Sequence, residues 1–153
     1  EAQQVFAVRR MLETEMTRAF ARSSTPAKIR ALRQHVAHEQ AAMDGTDARM
    51  RAELLGDFHV RMAELMGNDV LAQMLGDLIS RCALITLMYQ SDSAAAHSHE
   101  EHGDIVAALA ARDEERAVQL MQAHLLHVEA GLAFDEHKRP TNDLSLALAA
   151  AAP

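Results

Sequence analysis

The sequence has few of the residues that build sheets, tight turns and disulfides. Among its 153 residues there are six glycines, three prolines, one cysteine and no tryptophan, and aromatic residues make up 3%. Strands favour β-branched and aromatic residues, whereas the Ala, Leu, Met, Glu and Arg that recur here favour helices. A single cysteine excludes an internal disulfide. The composition therefore predicts an all-α protein.

The chain also has no long apolar run and no excess of positive charge. Its formal net charge is -7, so the chain as a whole should repel a nucleic-acid backbone. No apolar run approaches the roughly 20 residues that span a bilayer, and the N-terminus lacks the pattern of a signal peptide. One cysteine fits a reducing cytoplasm, and it would also fit other compartments. We expect a cytoplasmic protein with no membrane partner.

Six stretches of helical apolar periodicity are separated by the few helix breakers. Thr25 before Pro26 is typical of a helix start, and Ser98 with Glu101 has the spacing of a capping box. Short links between helices favour an antiparallel bundle. We expect one domain over residues 1–134, followed at 135–153 by a tail or a short extra helix. The predicted helices lie near 3–22, 26–43, 47–66, 69–89, 98–111 and 114–133.

Three of these helices each carry one histidine on the apolar stripe: His59, His102 and His124. A single histidine of this kind is more often an ordinary core residue that donates to a backbone carbonyl. Three imidazoles from facing helices, however, form a typical ligand set for Zn, Ni, Cu or Fe. The pattern therefore leaves two interpretations open, a buried metal site and three ordinary core histidines. If a metal is bound, we expect Zn or Ni.

The other histidines differ in their placement relative to the stripes. We expect His35 and His38 to be solvated, because His38 lies opposite the stripe of its helix and His35 flanks it. His99 and His127 are the two that could substitute as ligands.

Two arginines also fall on apolar stripes. Arg9 lies on the first helix with Glu13 one turn away, so an internal salt bridge is one interpretation. Arg81 lies on the fourth helix. Buried guanidinium groups need an anion, and arginine binds carboxylates through paired hydrogen bonds. An interior with arginines and histidines therefore favours a pocket for a small organic acid. Met62, Met66, Met74 and Met121 would form apolar walls of this pocket, although methionine at helical spacing is more often a core residue.

The sequence resembles a known family over about residues 5 to 132. The resemblance is carried by Arg9 to Glu13, Phe58-His59, Gly67-Asn68, Arg81, Glu101-His102 and His124. These residues, in this order, are similar to the FCD domain, the ligand-sensing C-terminal domain of FadR-like regulators in the GntR family. The resemblance implies an antiparallel helical bundle that holds a central divalent metal and binds a small organic-acid effector beside it. His59, His102 and His124 match the family's histidine ligands.

Two departures from the family pattern bear on these expectations. Metal-binding members usually carry an aspartate four residues before the first histidine, and this sequence has Leu55 there. The family also joins this domain to an N-terminal winged helix-turn-helix that reads operator DNA, and no such segment is expected in this chain. By resemblance we expect a homodimer that contacts operator DNA only through that other domain.

Two functions of other classes remain as alternatives to a non-enzymatic sensor. A helical-bundle metalloenzyme would use the same three histidines, but the Glu-x-x-His pairs of di-iron bundles are missing from the sequence. His99 and His102 are one residue too close together for a zincin motif. A purely structural dimerisation bundle would use the inward histidines only as hydrogen-bonding groups.

Overall fold

The structure, a computed structural model, describes residues 2–89 and 92–132. Six α-helices and no strand occur in these ranges, which confirms the predicted all-α single domain. The predicted tail at 135–153 lies outside the described residues. No helix among those described is long and apolar enough to cross a membrane. The helices are α1 (Ala2–Ser23), α2 (Pro26–Met43), α3 (Ala48–Leu65), α4 (Asp69–Tyr89), α5 (Asp92–Ala110) and α6 (Glu114–Gly131).

The start of α5 differs from the prediction. The helix begins at Asp92 rather than near Ser98, so Ser98 lies inside it and is buried. The proposed capping box of Ser98 and Glu101 is therefore wrong. The polar residues before Ser98 had predicted an irregular connection here. Alanines at positions 94 to 96 are strong helix formers, and they extend the helix through this stretch.

Two similar turns connect the helix pairs that carry the site. After α3, Gly67 has a φ of 74°, and the Asn68 N–H donates to the Ala63 carbonyl at 3.1 Å. After α5, Arg112 has a φ of 58°, and the Asp113 N–H donates to the Ala108 carbonyl at 3.0 Å. Both turns are Schellman motifs, which reverse the chain within a few residues.

The residue after each turn also starts the next helix. The Asn68 Oδ1 accepts from the Leu71 N–H, and the Asp113 Oδ1 accepts from the Arg116 N–H, both at 3.0 Å. These side chains satisfy backbone donors that have no partner inside their own helix. The two turns therefore fix α3 against α4 and α5 against α6.

The helices surround α3, which contacts α1, α2, α4 and α5, while α6 packs between α1 and α5. Contacts between successive helices across short turns are consistent with an antiparallel bundle. A Cβ added at Gly56 would lie 2.8 Å from Ile79 Cγ2, so glycine permits the close approach of α3 and α4.

The apolar interior consists of two clusters of unequal size. The larger includes Phe20, Phe58 and Met121, and the smaller includes Phe6 and Cys82. Along α1, the buried Arg9 and Glu13 lie between Phe6 and Phe20; along α6, His124 lies between Met121 and Leu132. A buried polar layer therefore separates the two clusters, and the candidate site lies in this layer.

Candidate metal centre and adjoining cavity

Three imidazoles meet in the buried polar layer. His59 comes from α3, His102 from α5 and His124 from α6, and their exposed fractions are 3%, 0% and 2%. His124 Nε2 lies 3.2 Å from His102 Nε2 and 3.4 Å from His59 Nε2. The structure thus brings together the three histidines that the stripes placed on facing helices.

A glutamate contacts the Nδ1 atom of each of these imidazoles. His102 Nδ1 lies 2.9 Å from Glu39 Oε1, and His124 Nδ1 lies 2.8 Å from Glu101 Oε2. His59 Nδ1 contacts Glu13 Oε2 directly. An ionised carboxylate can only accept, so each Nδ1 must carry the ring proton and donate it. The lone pair of each imidazole is then on Nε2, which faces the other two rings.

The glutamates are ionised at neutral pH. Burial alone would raise the pKa of Glu13, but the charges of Arg9 and His59 and their hydrogen bonds lower it to about 2. Burial likewise opposes ionisation of Glu39, whose pKa is lowered to about 2 chiefly by His102. The pKa of Glu101 is also lowered to about 2, since hydrogen bonds from His124 and His127 outweigh its burial.

The three histidines are neutral under the same conditions. Burial is the largest influence on each ring, and it lowers the pKa of His59 and of His124 to about 4. Burial lowers the pKa of His102 as well. Neutral imidazole is the form that binds metals, so the three rings are in the protonation state that a metal site requires.

The arrangement of the Nε2 atoms fits a tetrahedral metal ion. Three lone pairs that point at one another across 3.2 and 3.4 Å repel unless a cation lies between them. Zinc binds imidazole nitrogen at 2.0–2.1 Å, so two nitrogens on a tetrahedral zinc are about 3.3 to 3.4 Å apart. The two spacings that involve His124 therefore suit Zn²⁺ or a similar divalent ion bound among the three rings.

Aromatic contacts fix the plane of the His102 ring. Phe58 stacks on His102 with ring centroids 3.9 Å apart and an interplanar angle of 12°. Because Glu39 holds His102 Nδ1 at the same time, the ring can neither tilt nor rotate freely. In metal sites, outer support of this kind raises affinity by keeping a ligating histidine in its bound orientation.

A cavity of about 470 Å³ adjoins the three histidines, all of which line it. Its size is in the range of small-molecule sites. Arg9 and Arg49 provide positive charge in the lining, while Asp57 and Glu53 provide negative charge. Other lining residues are Ala52, Leu55, Gly56, Ile79, Ser80, Cys82, Ala83, Thr86, Ser98 and Val128.

Arg9 forms the predicted salt bridge with Glu13 and also lies at the predicted pocket. Its Nε lies 2.6 Å from Glu13 Oε1, so the internal salt bridge is present, and the residue also lines the cavity. The guanidinium has five N–H donors in all, and one ion pair therefore does not exhaust its capacity to bind an anion.

Arg81 does not take the inward position that was expected. It is exposed, and it is not among the described residues that line the cavity. Met74, seven residues earlier on α4, is exposed too. The apolar stripe that contains these residues therefore faces partly outward. Arg49 in α3 is the second arginine of the cavity instead, and sequence reasoning missed it.

Other predictions about the pocket also need correction. The four methionines are absent from the described cavity lining, and Met62 and Met121 are core residues. His38 is exposed as expected, but His35 is largely buried and its Nε2 donates to the Leu54 carbonyl at 2.9 Å. Leu55, at the family's aspartate position, is buried and lines the cavity.

Sequence reasoning also missed Glu39 and Glu101 as partners of the histidines. The signal for Glu39 was present, since it lies three residues after Val36 and seven after Leu32, on the apolar stripe of α2. Glu101 gave a weaker signal, because it flanks the stripe of α5 and was interpreted as part of a cap. Glu13 was recognised on its stripe, but as a partner of Arg9 alone.

Comparison with known proteins identifies the family of this chain. The family model of the FCD domain matches residues 4–127, which is most of the chain and confirms the resemblance stated above. Comparison with curated proteins gives no significant match. The chain belongs to the FCD domain family, the ligand-sensing regulatory domains of GntR-type transcription regulators.

Proposed function

We propose that this domain binds a divalent metal ion at His59, His102 and His124 and a small organic acid in the adjoining cavity. Occupancy of the site would control DNA binding by a winged helix-turn-helix fused to the domain in a GntR-family regulator. The observation that carries the proposal is the convergence of three Nε2 atoms whose Nδ1 atoms all face glutamates. This domain would act as a sensor and not as an enzyme.

The donor set supports Zn²⁺ or Ni²⁺ as the ion. All three donors are imidazole nitrogens, which suit these metals better than they suit Mg²⁺ or Ca²⁺. With Leu55 at the family's aspartate position, three protein ligands leave a coordination position for water or for an oxygen of the effector. The bound ion would supply a localised positive charge for an anionic ligand.

The two arginines of the cavity support an anionic effector. Arg9 and Arg49 are both cavity residues, and a guanidinium binds a carboxylate through two parallel hydrogen bonds. Arg49 is paired with the exposed Glu53 across 2.9 Å. This exposed pair gains little from its own contact, so Arg49 can exchange Glu53 for a ligand carboxylate.

The connection between the site and regulation runs through α1. This helix carries Arg9, which lines the cavity, and Glu13, which contacts His59. A ligand changes the balance between two arrangements of the protein only when it binds one of them more tightly. If the effector displaces Arg9 or Glu13, it binds one position of α1 more tightly than the other and so shifts the balance between the two arrangements.

Metal analysis of protein prepared without a histidine tag tests the first part of the proposal. We expect about one zinc or nickel ion per chain in the wild type after dialysis, since the three histidines form a single site. His124→Ala should remove this metal, whereas His38→Ala, which changes an exposed histidine of α2, should retain it. Equal metal content in the two variants would contradict the assignment.

A thermal-shift screen with small organic acids, with and without zinc, tests the second part. A ligand that binds the folded state raises the melting temperature. Arg49→Ala should reduce the shift caused by an active acid, and Arg81→Ala should leave it almost unchanged because Arg81 is outside the cavity lining. A smaller thermal shift in Arg81→Ala than in Arg49→Ala would instead support Arg81 as the effector-binding residue that the sequence predicted.

The alternative, a helical-bundle metalloenzyme, has one specific observation in its favour. Asp57 lines the cavity, and burial raises its pKa, as in a general base or acid. Incubation of the zinc-loaded protein with esters and phosphate esters would show turnover, and Asp57→Asn would abolish it, if this alternative holds. No turnover is expected from a sensor.

A further inference from the structure

A second group of metal-binding side chains lies outside the buried centre. His97 and Glu101 belong to α5 and His127 to α6, and one ligand atom from each lies within 4.8 Å of the other two. The side chains of His97 and His127 are each 56% exposed, while that of Glu101 is 13% exposed. This group, here named the outer cluster, therefore opens to solvent.

Helix geometry accounts for the outer cluster. His97 and Glu101 are four residues apart, so they lie on the same face of α5. His127 follows His124 by three residues, which places it one turn further along α6 and at the surface. The contacts that bring α5 and α6 together for the buried centre also bring the outer cluster together.

The two carboxylate oxygens of Glu101 have different partners. Oε2 accepts from His124 Nδ1 at 2.8 Å, on the side of the buried centre. Oε1 lies 3.2 Å from His97 Nε2 and contacts His127 Nδ1 on the solvent side. The His97 and His127 rings are 5.4 Å apart at their centroids. Two imidazoles thus flank an oxygen that the buried centre does not use.

We propose that His97, Glu101 and His127 form a second, solvent-facing site for a divalent transition-metal ion such as zinc. Two histidines and one glutamate are a ligand set that zinc uses, with water in the remaining position. Ligand atoms on one zinc ion are about 3 to 3.5 Å apart, so side-chain movements of roughly 1 Å would close the cluster around the ion. The exposed histidines have the freedom to make such movements.

Solvent exposure sets the expected order of affinity. The buried centre has three histidines, each held by a carboxylate and shielded from water, whereas the outer cluster has two imidazoles that are exposed to solvent. The outer site should therefore bind metal more weakly than the buried one. If the buried site binds metal, as the proposed function states, Glu101 connects the two sites, because one carboxylate would bind the outer ion and orient His124.

Calorimetric titration of the metal-free, untagged full chain with zinc tests the outer site. We expect two classes of site in the wild type, the weaker of which is lost in His97→Ala/His127→Ala. His38→Ala serves as the matched control and should retain both classes. His59→Ala should lose the tighter class and keep the weaker one, so failure of the buried site is distinguishable from failure of the outer site.

A further variant addresses the shared glutamate. Glu101→Gln should weaken both classes, and the tighter class by about 10-fold or more, because loss of a carboxylate behind a ligating histidine has an effect of this size. The single His127→Gln variant repeats the test with a smaller change, and circular dichroism verifies the helical fold. A single class of site in the wild type, or a weaker class that survives in the double alanine variant, would overturn the proposal.

Discussion

At the scale of single residues, Glu39 connects three histidines. Its buried carboxylate lies 2.9 Å from His102 Nδ1, 3.1 Å from His99 Nδ1 and 3.4 Å from His35 Nε2. A buried carboxylate is unfavourable unless several donors satisfy it. Glu39 has these donors, and in return it fixes the tautomer of a proposed metal ligand.

Replacement of Glu39 by glutamine should weaken metal binding without loss of the helical fold. The amide keeps the size of the side chain but removes the negative charge that favours a proton on His102 Nδ1. We expect the zinc affinity to fall by about 10- to 100-fold, the usual effect of altering a group behind a ligating histidine. Competition with a chromogenic chelator measures the change. An unchanged affinity would show that Glu39 has only a structural role.

His35 should make the stability of the metal-free protein depend on pH. Burial opposes the charged form of His35, but Glu39 and the Leu54 carbonyl raise its pKa above the ordinary value of 6.5. A raised pKa in the folded state stabilises the fold below the unfolded pKa, and this contribution is lost as the pH rises through the folded pKa.

The test compares the wild type with His35→Gln by chemical unfolding. The loss of unfolding free energy in the variant should be larger at about pH 5.5 than at about pH 8.5, because the charged form contributes only at the lower pH. His38→Gln, at an exposed position of the same helix, should show no such difference. An equal loss for His35→Gln at the two pH values would contradict the expected direction.

The histidines of the site were predictable from sequence because each lies on an apolar stripe, which is a local property of one helix. The partners were harder to predict. The contact of Glu39 with His102 joins residues 63 positions apart and depends on how α2 packs against α5. The positions of Arg49 and Arg81 were also mispredicted for this reason. Periodicity indicates which face of a helix a residue lies on, but it does not indicate which neighbouring helix covers that face.

At the scale of helices, the α5–α6 turn determines where His102 and His124 meet. Arg112 takes the left-handed conformation in this turn, with a φ of 58°, whereas the matching turn after α3 has Gly67. Residues with a Cβ are disfavoured in this conformation by roughly 1–2 kcal/mol. The turn after α5 therefore carries backbone strain that glycine would relieve.

Arg112→Gly should stabilise the protein. The expected gain in unfolding free energy is about 0.5–1 kcal/mol, because the relief of strain is partly offset by the greater freedom of glycine in the unfolded chain. Arg112→Ala removes the same side chain but keeps the strained backbone, so it should give no gain. Thermal or chemical unfolding of both variants measures the difference, and equal stabilities would contradict the role of the left-handed turn.

Five of the six helices begin and end close to the positions that sequence indicates, because caps and breakers act locally. The exception is α5, where the polar residues before Ser98 were interpreted as a loop. The packing of α5 on α2 and α6 buries Ala95 and Ser98, and this stabilises the first two turns of the helix. Such tertiary stabilisation has no signal in local periodicity.

At the scale of the whole molecule, the bundle encloses a polar layer between two apolar clusters. A layer of charged and polar groups stabilises the fold less than an apolar layer of the same volume. Metal binding to the folded state would compensate, since a ligand that binds only this state adds to its stability. The layer is therefore suited to binding rather than to stability alone.

The homodimer is a prediction about the whole molecule. Family resemblance implies a homodimer, and α4 exposes the apolar side chains of Val70 and Met74 one turn apart. Light scattering should give about twice the chain mass of 16.8 kDa. Val70→Glu/Met74→Glu should shift the mass to that of a single chain if this face forms the contact. A monomeric wild type would contradict the prediction, and a dimeric variant would exclude this face.

An anomalous-scattering map from crystals of the untagged protein grown with zinc tests the proposed three-histidine metal site most sharply. We expect a strong peak bonded to the Nε2 atoms of His59, His102 and His124 at about 2.0–2.1 Å, with each Nδ1 still facing its glutamate. No peak among these three nitrogens, or imidazoles that turn away from one another in the presence of zinc, would contradict it.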